Sequence, residues 1–157
     1  MLNITKSHLI VYDFDGVMTD NRAYIDQEGN EMVQIHRGDG LVISKIKKIG
    51  IRQLILSTEK NNVVQKRAKK LGIFCLNGIH NKKKTLIDYS KKNNFELDNI
   101  IYIGNDINDL EVMKIVGFTL CPSDANSEIK LISNHVLGTD GGFGVIREFY
   151  DFVNIIE

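Results

Sequence analysis

Short apolar runs rich in isoleucine, valine and leucine recur along the chain at residues 9–12, 51–56, 73–76, 100–103, 118–120 and 136–137. The first five are too short for helices and read as strands covered on both faces. Amphipathic stretches separate them. Val42, Ile46 and Ile49 share one stripe of residues 41–49, and Gly50 follows where a helix C-terminal glycine sits. Residues 61–71 place Val64, Ala68 and Leu71 on one face before Gly72. Residues 82–93 give a weaker stripe, with Leu86 and Tyr89 or Ser90 facing inward. Residues 106–116 end at Gly117, and residues 144–156 close the chain as a further helix. Strand alternating with helix predicts the α/β class, a mostly parallel sheet with helices on both faces.

One segment breaks the rhythm. Residues 23–35, AYIDQEGNEMVQI, set two short arms around an Asp-Gln-Glu-Gly-Asn turn and predict a β-hairpin inserted after the first strand, at about residues 22–36. Arms this short are not stable alone, so the hairpin needs something to pack on. No repeat, low-complexity tract or linker interrupts the 157 residues. A single domain over 1–157 is expected, long enough to bury about two thirds of its unfolded surface.

Charge and cysteine usage narrow the partners. With 20 basic and 20 acidic side chains the net charge is zero, which argues against a broad nucleic-acid-binding or membrane-binding surface and favours a small molecule. Cys75 and Cys121 sit in apolar runs without CxxC or Cys/His spacing, as small buried hydrophobes do. The N-terminus MLNITKSHL has no long apolar core or cleavage site, and no segment reaches the length of a membrane span, so a cytoplasmic location is expected.

The stretch DFDGVMTDN, residues 13–21, places three carboxylates directly after a run that must be buried. In open parallel sheets the ligand site lies outside the carboxyl ends of the strands. Side chains alternate along an extended segment, so Asp13 and Asp15 can share a crevice while Phe14 turns back into the core. Gly16 then lets the backbone leave sharply. Two close carboxylates repel unless a cation neutralises them. Mg²⁺ suits such a pair, and an ionised carboxylate can attack phosphorus while a protonated neighbour donates to the leaving oxygen.

The other strand ends fit that chemistry. The second ends in Ser57, a hydroxyl able to reach a phosphoryl oxygen. A loop after the third leads to Lys82 at a helix start, where an ammonium offsets phosphoryl charge. The fourth ends in GNDIND, with Asn105, Asp106 and Asp109 as oxygen donors. Alone, Asp-Gly is an ordinary turn and Asn-Asp an ordinary helix cap. Their shared position at one sheet edge is what points to function.

These residues, DFDGVMTD, Ser57, Lys82 and GNDIND, resemble the four motifs of the haloacid dehalogenase-like phosphatases, over nearly the whole chain. The resemblance implies a Rossmann-like three-layer α/β/α sandwich with no large cap domain. The hairpin, Gly38-Asp39-Gly40 and the ending GGFGVIREF look like the subfamily of 3-deoxy-manno-octulosonate 8-phosphate phosphatases. That subfamily also includes nonulosonate (sialic-acid-type) 9-phosphate phosphatases and domains fused to acylneuraminate cytidylyltransferases. By that resemblance Asp13 is the nucleophile, Asp15 the general acid/base, Ser57 and Lys82 the phosphoryl-binding pair, and Mg²⁺ the cofactor. Its ligands are Asp13, the Asp15 carbonyl and Asn105 or Asp106. A homotetramer is implied, in which hairpins associate and a neighbour closes the uncapped site.

Two departures matter. The octulosonate phosphatases look like Thr-Gly-Arg at the second motif, whereas this chain has Ser57-Thr58-Glu59-Lys60. Glu59 with Lys70 resembles the pair of a nonulosonate 9-phosphate phosphatase, so Glu59, Lys70, Thr58 and Lys60 are candidate substrate-binding residues. Many relatives have aspartate where this chain has Asn105, which brings an amide oxygen but no charge to a metal. The expected activity is therefore hydrolysis of a phosphorylated 2-keto-3-deoxy sugar acid through an aspartyl-phosphate, with the nine-carbon ester ahead of the eight-carbon one. Two other classes compete. A signalling receiver carries its phosphorylated aspartate on a later strand than this chain does. A non-catalytic assembly domain beside a cytidylyltransferase typically loses the nucleophile that this chain keeps. His36, Arg37 and Arg147 are further candidates for substrate contacts.

Overall fold

The computed structural model describes residues 2–156. Its ten strands are β1 (Leu2–Ile4), β2 (Leu9–Tyr12), β3 (Thr19–Ile25), β4 (Glu31–Ile35), β5 (Arg52–Leu56), β6 (Phe74–Leu76), β7 (Ile100–Ile103), β8 (Phe118–Cys121), β9 (His135–Val136) and β10 (Val153–Ile155). The helices are α1 (Arg37–Ile49), α2 (Asn62–Leu71), α3 (Lys82–Asn93), α4 (Leu110–Met113), α5 (Ser127–Ile132) and α6 (Val145–Phe152). Six strands form one parallel sheet in the order β6-β5-β2-β7-β8-β9.

Why β2 must be apolar throughout follows from its place at the middle of that sheet. Ile10 and Tyr12 pack with α1, α2 and α6, through Ile43, Ile46, Val64, Ala68, Ile146 and Phe149. Leu9 and Val11 face the other way, onto Leu86 of α3, Val112 and Met113 of α4 and Ile129 of α5. Alternate residues of one strand thus serve two cores, and the three-layer α/β/α sandwich is the result. A buried polar pair ties one layer together: Tyr12 Oη donates to Gln53 Oε1 (2.9 Å), and Gln53 Nε2 donates to the Ile43 carbonyl of α1 (3.0 Å).

Glycines end two of the helices on the first face. Gly50 (φ +94°) and Gly72 (φ +67°) close α1 and α2 in the left-handed region. Asn61 caps α2 by accepting from the Val63 N–H, and Asn81 caps α3 by accepting from the Lys84 N–H.

Several elements depart from the expected pattern. Helix α1 starts at Arg37 rather than residue 41, because Gly38 and Gly40 lie inside it and glycine weakens a helical signal. Gly38 is required there: a Cβ would meet the His36 ring at 2.7 Å and Arg147 Nη1 at 3.2 Å. The helix expected over 106–116 is a 3₁₀ turn, Ile107–Asp109, followed by the single-turn α4. The closing helix stops at Phe152, and Val153–Ile155 instead forms a parallel pair with Leu2–Ile4. That pairing gives the β-branched Val153 and Ile155 a strand environment they favour. Neither β1 nor α5 was expected from the apolar pattern.

The hairpin β3–β4 forms its own two-stranded antiparallel sheet, with Thr19 opposite Ile35 and Ala23 opposite Val33. Its turn is held by Asp26, whose carboxylate accepts from the backbone of Glu28 and Asn30 and from the Asn30 side chain. Tyr24, Ile25 and Met32 are left exposed along it.

Tyr12→Phe is expected to lower the unfolding free energy by about 1–2 kcal/mol, because Gln53 Oε1 stays buried without its donor. Urea denaturation with an unchanged slope is the measurement, and a variant as stable as wild type would refute the pairing.

Candidate active site

The site begins one residue beyond β2. The Asp13 N–H still donates to the Ile103 carbonyl of β7 (2.9 Å), so pairing between the two central strands fixes where the Asp13 side chain starts. The chain then turns tightly, with the Phe14 carbonyl accepting from the N–H groups of Met18 (2.9 Å) and Thr19 (3.2 Å). Gly16 has φ +83°, a conformation that favours glycine. Thr19 Oγ1 accepts from the Gly16 N–H (3.3 Å) and donates to Asp15 Oδ1 (3.2 Å), which orients the second carboxylate.

The loop after β9 presses on this turn from outside. A Cβ on Gly141 would strike the Gly16 carbonyl, and one on Gly142 the backbone of Thr19 and Asp20. The Gly142 N–H donates to the Val17 carbonyl (3.1 Å). Gly141 and Gly142 of GGFG therefore clamp the turn that carries Asp13 and Asp15.

Beneath the turn lies a buried ionic cluster. Lys82 Nζ, at the first position of α3, is 2.8 Å from Asp13 Oδ1 and 2.7 Å from Asp109 Oδ1. Tyr102 Oη also donates to Asp109 Oδ1 (2.7 Å), while Asp109 Oδ2 accepts from the Asn105 N–H (2.9 Å). Asp109 is wholly buried. Gly104 makes room for it, since a Cβ there would lie 2.7 Å from the Asp109 carboxyl carbon. Reaching all these partners draws Asp109 inward, which accounts for the tight 3₁₀ turn in place of a longer helix.

Two carboxylates share one ammonium, and the titration behaviour follows. Burial, and then the Asp109 carboxylate, push the Asp13 carboxyl up to about 8 against the pull of Lys82. Burial draws Lys82 down, but Asp13 and Asp109 outweigh it and hold the ammonium above its ordinary value. Burial also raises Asp15.

Ser57 ends β5, buried, with its N–H on the Leu76 carbonyl (2.9 Å) and its carbonyl accepting from the Ile79 N–H (3.1 Å). Its Oγ accepts from the Glu59 N–H (3.1 Å), which leaves the hydroxyl proton to donate elsewhere. Asp13, Asp15, Ser57, Thr58, Glu59, Asn105 and Asp106 line one cleft of about 310 Å³. Lys82 lies buried behind that lining, in contact with Asp13.

Divalent-cation binding has a specific geometric basis here. The Asn105 amide faces Asp13 Oδ2 (3.2 Å) and the Asp15 backbone carbonyl (2.9 Å). With its oxygen turned that way, three oxygen donors converge, a set that suits a hard cation. Asp106 is placed differently: its carboxylate caps the following turn by accepting from the Ile107 N–H (2.8 Å). Only one carboxylate side chain, that of Asp13, takes part, and among the described residues there is no cluster of three His, Cys, Asp or Glu that could hold a metal.

The remaining candidates are scattered. Lys60 borders a neighbouring cleft that also contains Glu31 and Glu59. Lys70 lines a separate cavity of about 460 Å³ with Arg37 and Arg67, so one chain does not bring it into the cleft beside Glu59. His36 and Arg147 gather around the buried Asp39, which accepts from the Arg147 N–H (3.1 Å). The sequence reading missed the central part of Asp109 and the supporting parts of Tyr102 and Thr19. The signal available was spacing: Asp109 lies four residues after Asn105, close enough to fold back onto its N–H.

Comparison with known proteins agrees with this arrangement. A family model described as haloacid dehalogenase-like hydrolase matches residues 12–149, which contain every residue of the cleft. The 3-deoxy-D-manno-octulosonate 8-phosphate phosphatase of Haemophilus influenzae is 31% identical over 146 residues, 92% of this chain and 81% of the relative. A Streptomyces avermitilis structure assigned to the HAD family of hydrolases superposes with a TM-score of 0.93 at 38% identity, covering 98% of this chain and 88% of the other. The Moraxella catarrhalis octulosonate 8-phosphate phosphatase, solved with magnesium, phosphate and its sugar acid, gives 0.89 at 30% identity over 94% and 86% of the two chains. With the family model spanning the whole cleft and a relative of 31% identity covered over most of its length, the chain belongs to the haloacid dehalogenase-like hydrolase family.

Proposed function

We propose that this chain is a divalent-cation-dependent phosphatase that hydrolyses a phosphorylated 2-keto-3-deoxy sugar acid through a phospho-Asp13 intermediate. One observation carries the reading: Asp13, held 2.8 Å from a buried ammonium, opens onto a cleft that Asp15, Ser57 and Asn105 also line. The Asp13 carboxylate, one oxygen of which is held by Lys82, attacks phosphorus. The new bond joins it to phosphorus as the ester oxygen leaves. Asp15, raised by burial, gives its proton to that oxygen and later takes one from the water that cleaves the aspartyl-phosphate. Ser57 Oγ and Lys82 hold the phosphoryl oxygens. Asp13, the Asp15 carbonyl and Asn105 are the residues that would hold Mg²⁺, which supplies charge neutralisation between phosphate and nucleophile when bound.

The nine-carbon nonulosonate 9-phosphate is the first choice of substrate, supported by Glu59 at the cleft mouth. A carboxylate there accepts from sugar hydroxyls and repels a second carboxylate. The eight-carbon 3-deoxy-manno-octulosonate 8-phosphate is the second reading, supported by the relatives that act on it. Lys70 is assigned to a neighbouring subunit's cleft, within a homotetramer whose contact surface includes the exposed Tyr24, Ile25 and Met32 of the hairpin. Among the described residues no helix is long and apolar enough to cross a membrane, and a cytoplasmic location completes the proposal. Retention of Asp13, Asp15, Ser57 and Asn105 in one cleft, with Lys82 in contact with Asp13, speaks for catalysis over a purely structural role beside a cytidylyltransferase.

Three measurements test this reading. Asp13→Asn is expected to reduce phosphate release from either ester by at least roughly three orders of magnitude with the circular-dichroism spectrum unchanged; substantial residual turnover would exclude Asp13 as nucleophile. Glu59→Arg is expected to shift the kcat/KM ratio toward the eight-carbon ester by on the order of tenfold, and an unmoved ratio would remove Glu59 from substrate selection.

Lys82→Met should cost about 3–5 kcal/mol of stability, because it leaves the Asp13 and Asp109 carboxylates without their counter-ion. The Asp13 carboxyl, already raised, then moves further above its unfolded value. Such a penalty is absent below the unfolded carboxylate range and grows as pH rises through the folded value. The deficit against wild type is therefore expected to be larger at about pH 8 than at about pH 5 in denaturation curves, and the opposite trend would contradict the ionic cluster.

A further inference from the structure

Asn105 is held almost everywhere except about its last bond. Its N–H donates to Asp109 Oδ2 (2.9 Å), and its carbonyl accepts from the Asn126 N–H (2.8 Å). The side chain is 7% exposed and packs directly on Gly16, where a Cβ would collide with the amide. Rotation of the terminal amide by half a turn exchanges its oxygen and nitrogen within the same volume. In one orientation, opposite to the one the structure records, the nitrogen would donate to Asp13 Oδ2 (3.2 Å) and to the Asp15 carbonyl (2.9 Å). In the other the oxygen joins those two acceptors and leaves them without a donor.

From this geometry we propose that the Asn105 amide is a two-position element that takes the place of the cation when none is bound. Its NH₂ then bridges the nucleophile and the acid/base turn, and it rotates to present oxygen when a divalent cation enters. The proposal rests on the reading that such a cation is held by Asp13, the Asp15 carbonyl and residue 105. A carboxylate at 105 could fill only the second role. It would place a third charge beside Asp13 and Asp109, with Lys82 the only buried cation among the described residues in contact with them, and so make the site depend on metal for order. The amide exchanges that dependence for weaker cation binding, since it brings a ligand oxygen without charge.

Magnesium alone is the probe, and binding and stability are the readouts. In the metal-free wild type, the Asn105 side-chain NH₂ is expected to show slowed hydrogen exchange by NMR and to lose that protection on titration with Mg²⁺. In Asn105→Asp, calorimetry is expected to show Mg²⁺ binding on the order of tenfold tighter. Its melting temperature without metal should fall by roughly 5–10 °C, and saturating Mg²⁺ should restore it. Asn105→Ala, which loses both roles, should show the lowered melting temperature without that rescue.

If the aspartate variant does not fold without metal, the wild-type NMR experiment decides alone. An NH₂ that exchanges freely in the metal-free protein, or stays protected once Mg²⁺ has bound, overturns the proposal. So do Asn and Asp forms of equal Mg²⁺ affinity and equal metal-free stability, an outcome that leaves the cation site itself standing. Failure of every form to bind Mg²⁺ overturns both the two-position amide and the site reading on which it rests.

Discussion

The contact of Lys82 with Asp13 and Asp109 is the constraint on which the rest of the site depends. An ammonium at the first position of a helix works against the helix dipole, and burying it costs more unless carboxylates surround it. Here they come from the end of β2 and from the turn after β7, so three separate segments must meet for any of the three charges to be tolerated. Asp109 carries the larger share of that work. It accepts from Lys82, Tyr102 and the Asn105 backbone at once, and it sets the place of the amide facing Asp13. The catalytic geometry is in this sense a by-product of satisfying a buried charge.

Rigidity in the sheet and close approach in the loops then complete the cleft. The central strands fix where Asp13 and Ser57 begin, because their backbone groups remain bonded to Ile103 and Leu76 just beyond the strand ends. The loops leave little freedom after that. Gly141 and Gly142 touch the backbone of the Gly16–Asp20 turn at distances that only a residue without Cβ permits. Catalytic precision thus comes from a stiff parallel sheet and from glycines that let two loops lie against each other.

Strands buried on both faces were the most legible part of the chain. The run at 9–12 and the run at 100–103 coincide with β2 and β7, since a central parallel strand has no polar face to blur its ends. Helix α3 coincides with residues 82–93 despite their weaker apolar stripe, opened by Asn81 and closed before Asn94, which takes the left-handed cap position. The start of α1 was hidden by Gly38 and Gly40, whose presence answers to His36, Arg147 and Leu71 rather than to helix propensity. Residues 153–155 read as helix because their strand partner, Leu2–Ile4, lies at the other end of the chain, where local pattern carries no information. In the site, Asp13, Asp15, Ser57 and Lys82 were legible from their positions at strand and helix ends. Asp109 was seen as an oxygen donor but not as the hub, because a hub is defined by contacts from several segments at once, here α3, β7 and the turn after it. The pairing of Glu59 with Lys70 could not be judged from spacing, and the fold puts them on different cavities of one chain.

The charge of the cleft bears on how an anionic ester can enter it. Among the described residues its lining includes the carboxylates of Asp13, Asp15, Glu59 and Asp106 and no basic side chain. The buried ammonium of Lys82 is already shared between two carboxylates, so it cannot by itself offset an incoming phosphate. Burial keeps Asp13 raised toward neutrality, a poor state for a nucleophile. Positive charge from outside the chain answers both problems at once, by attracting the phosphate and by favouring the ionised form of Asp13. A neutral Asn105 makes that demand less stringent than a further carboxylate would, because it lowers the negative charge that the cation must balance. Metal use and the choice of amide at 105 are thus two sides of a single charge balance, set by how many carboxylates one buried lysine can hold.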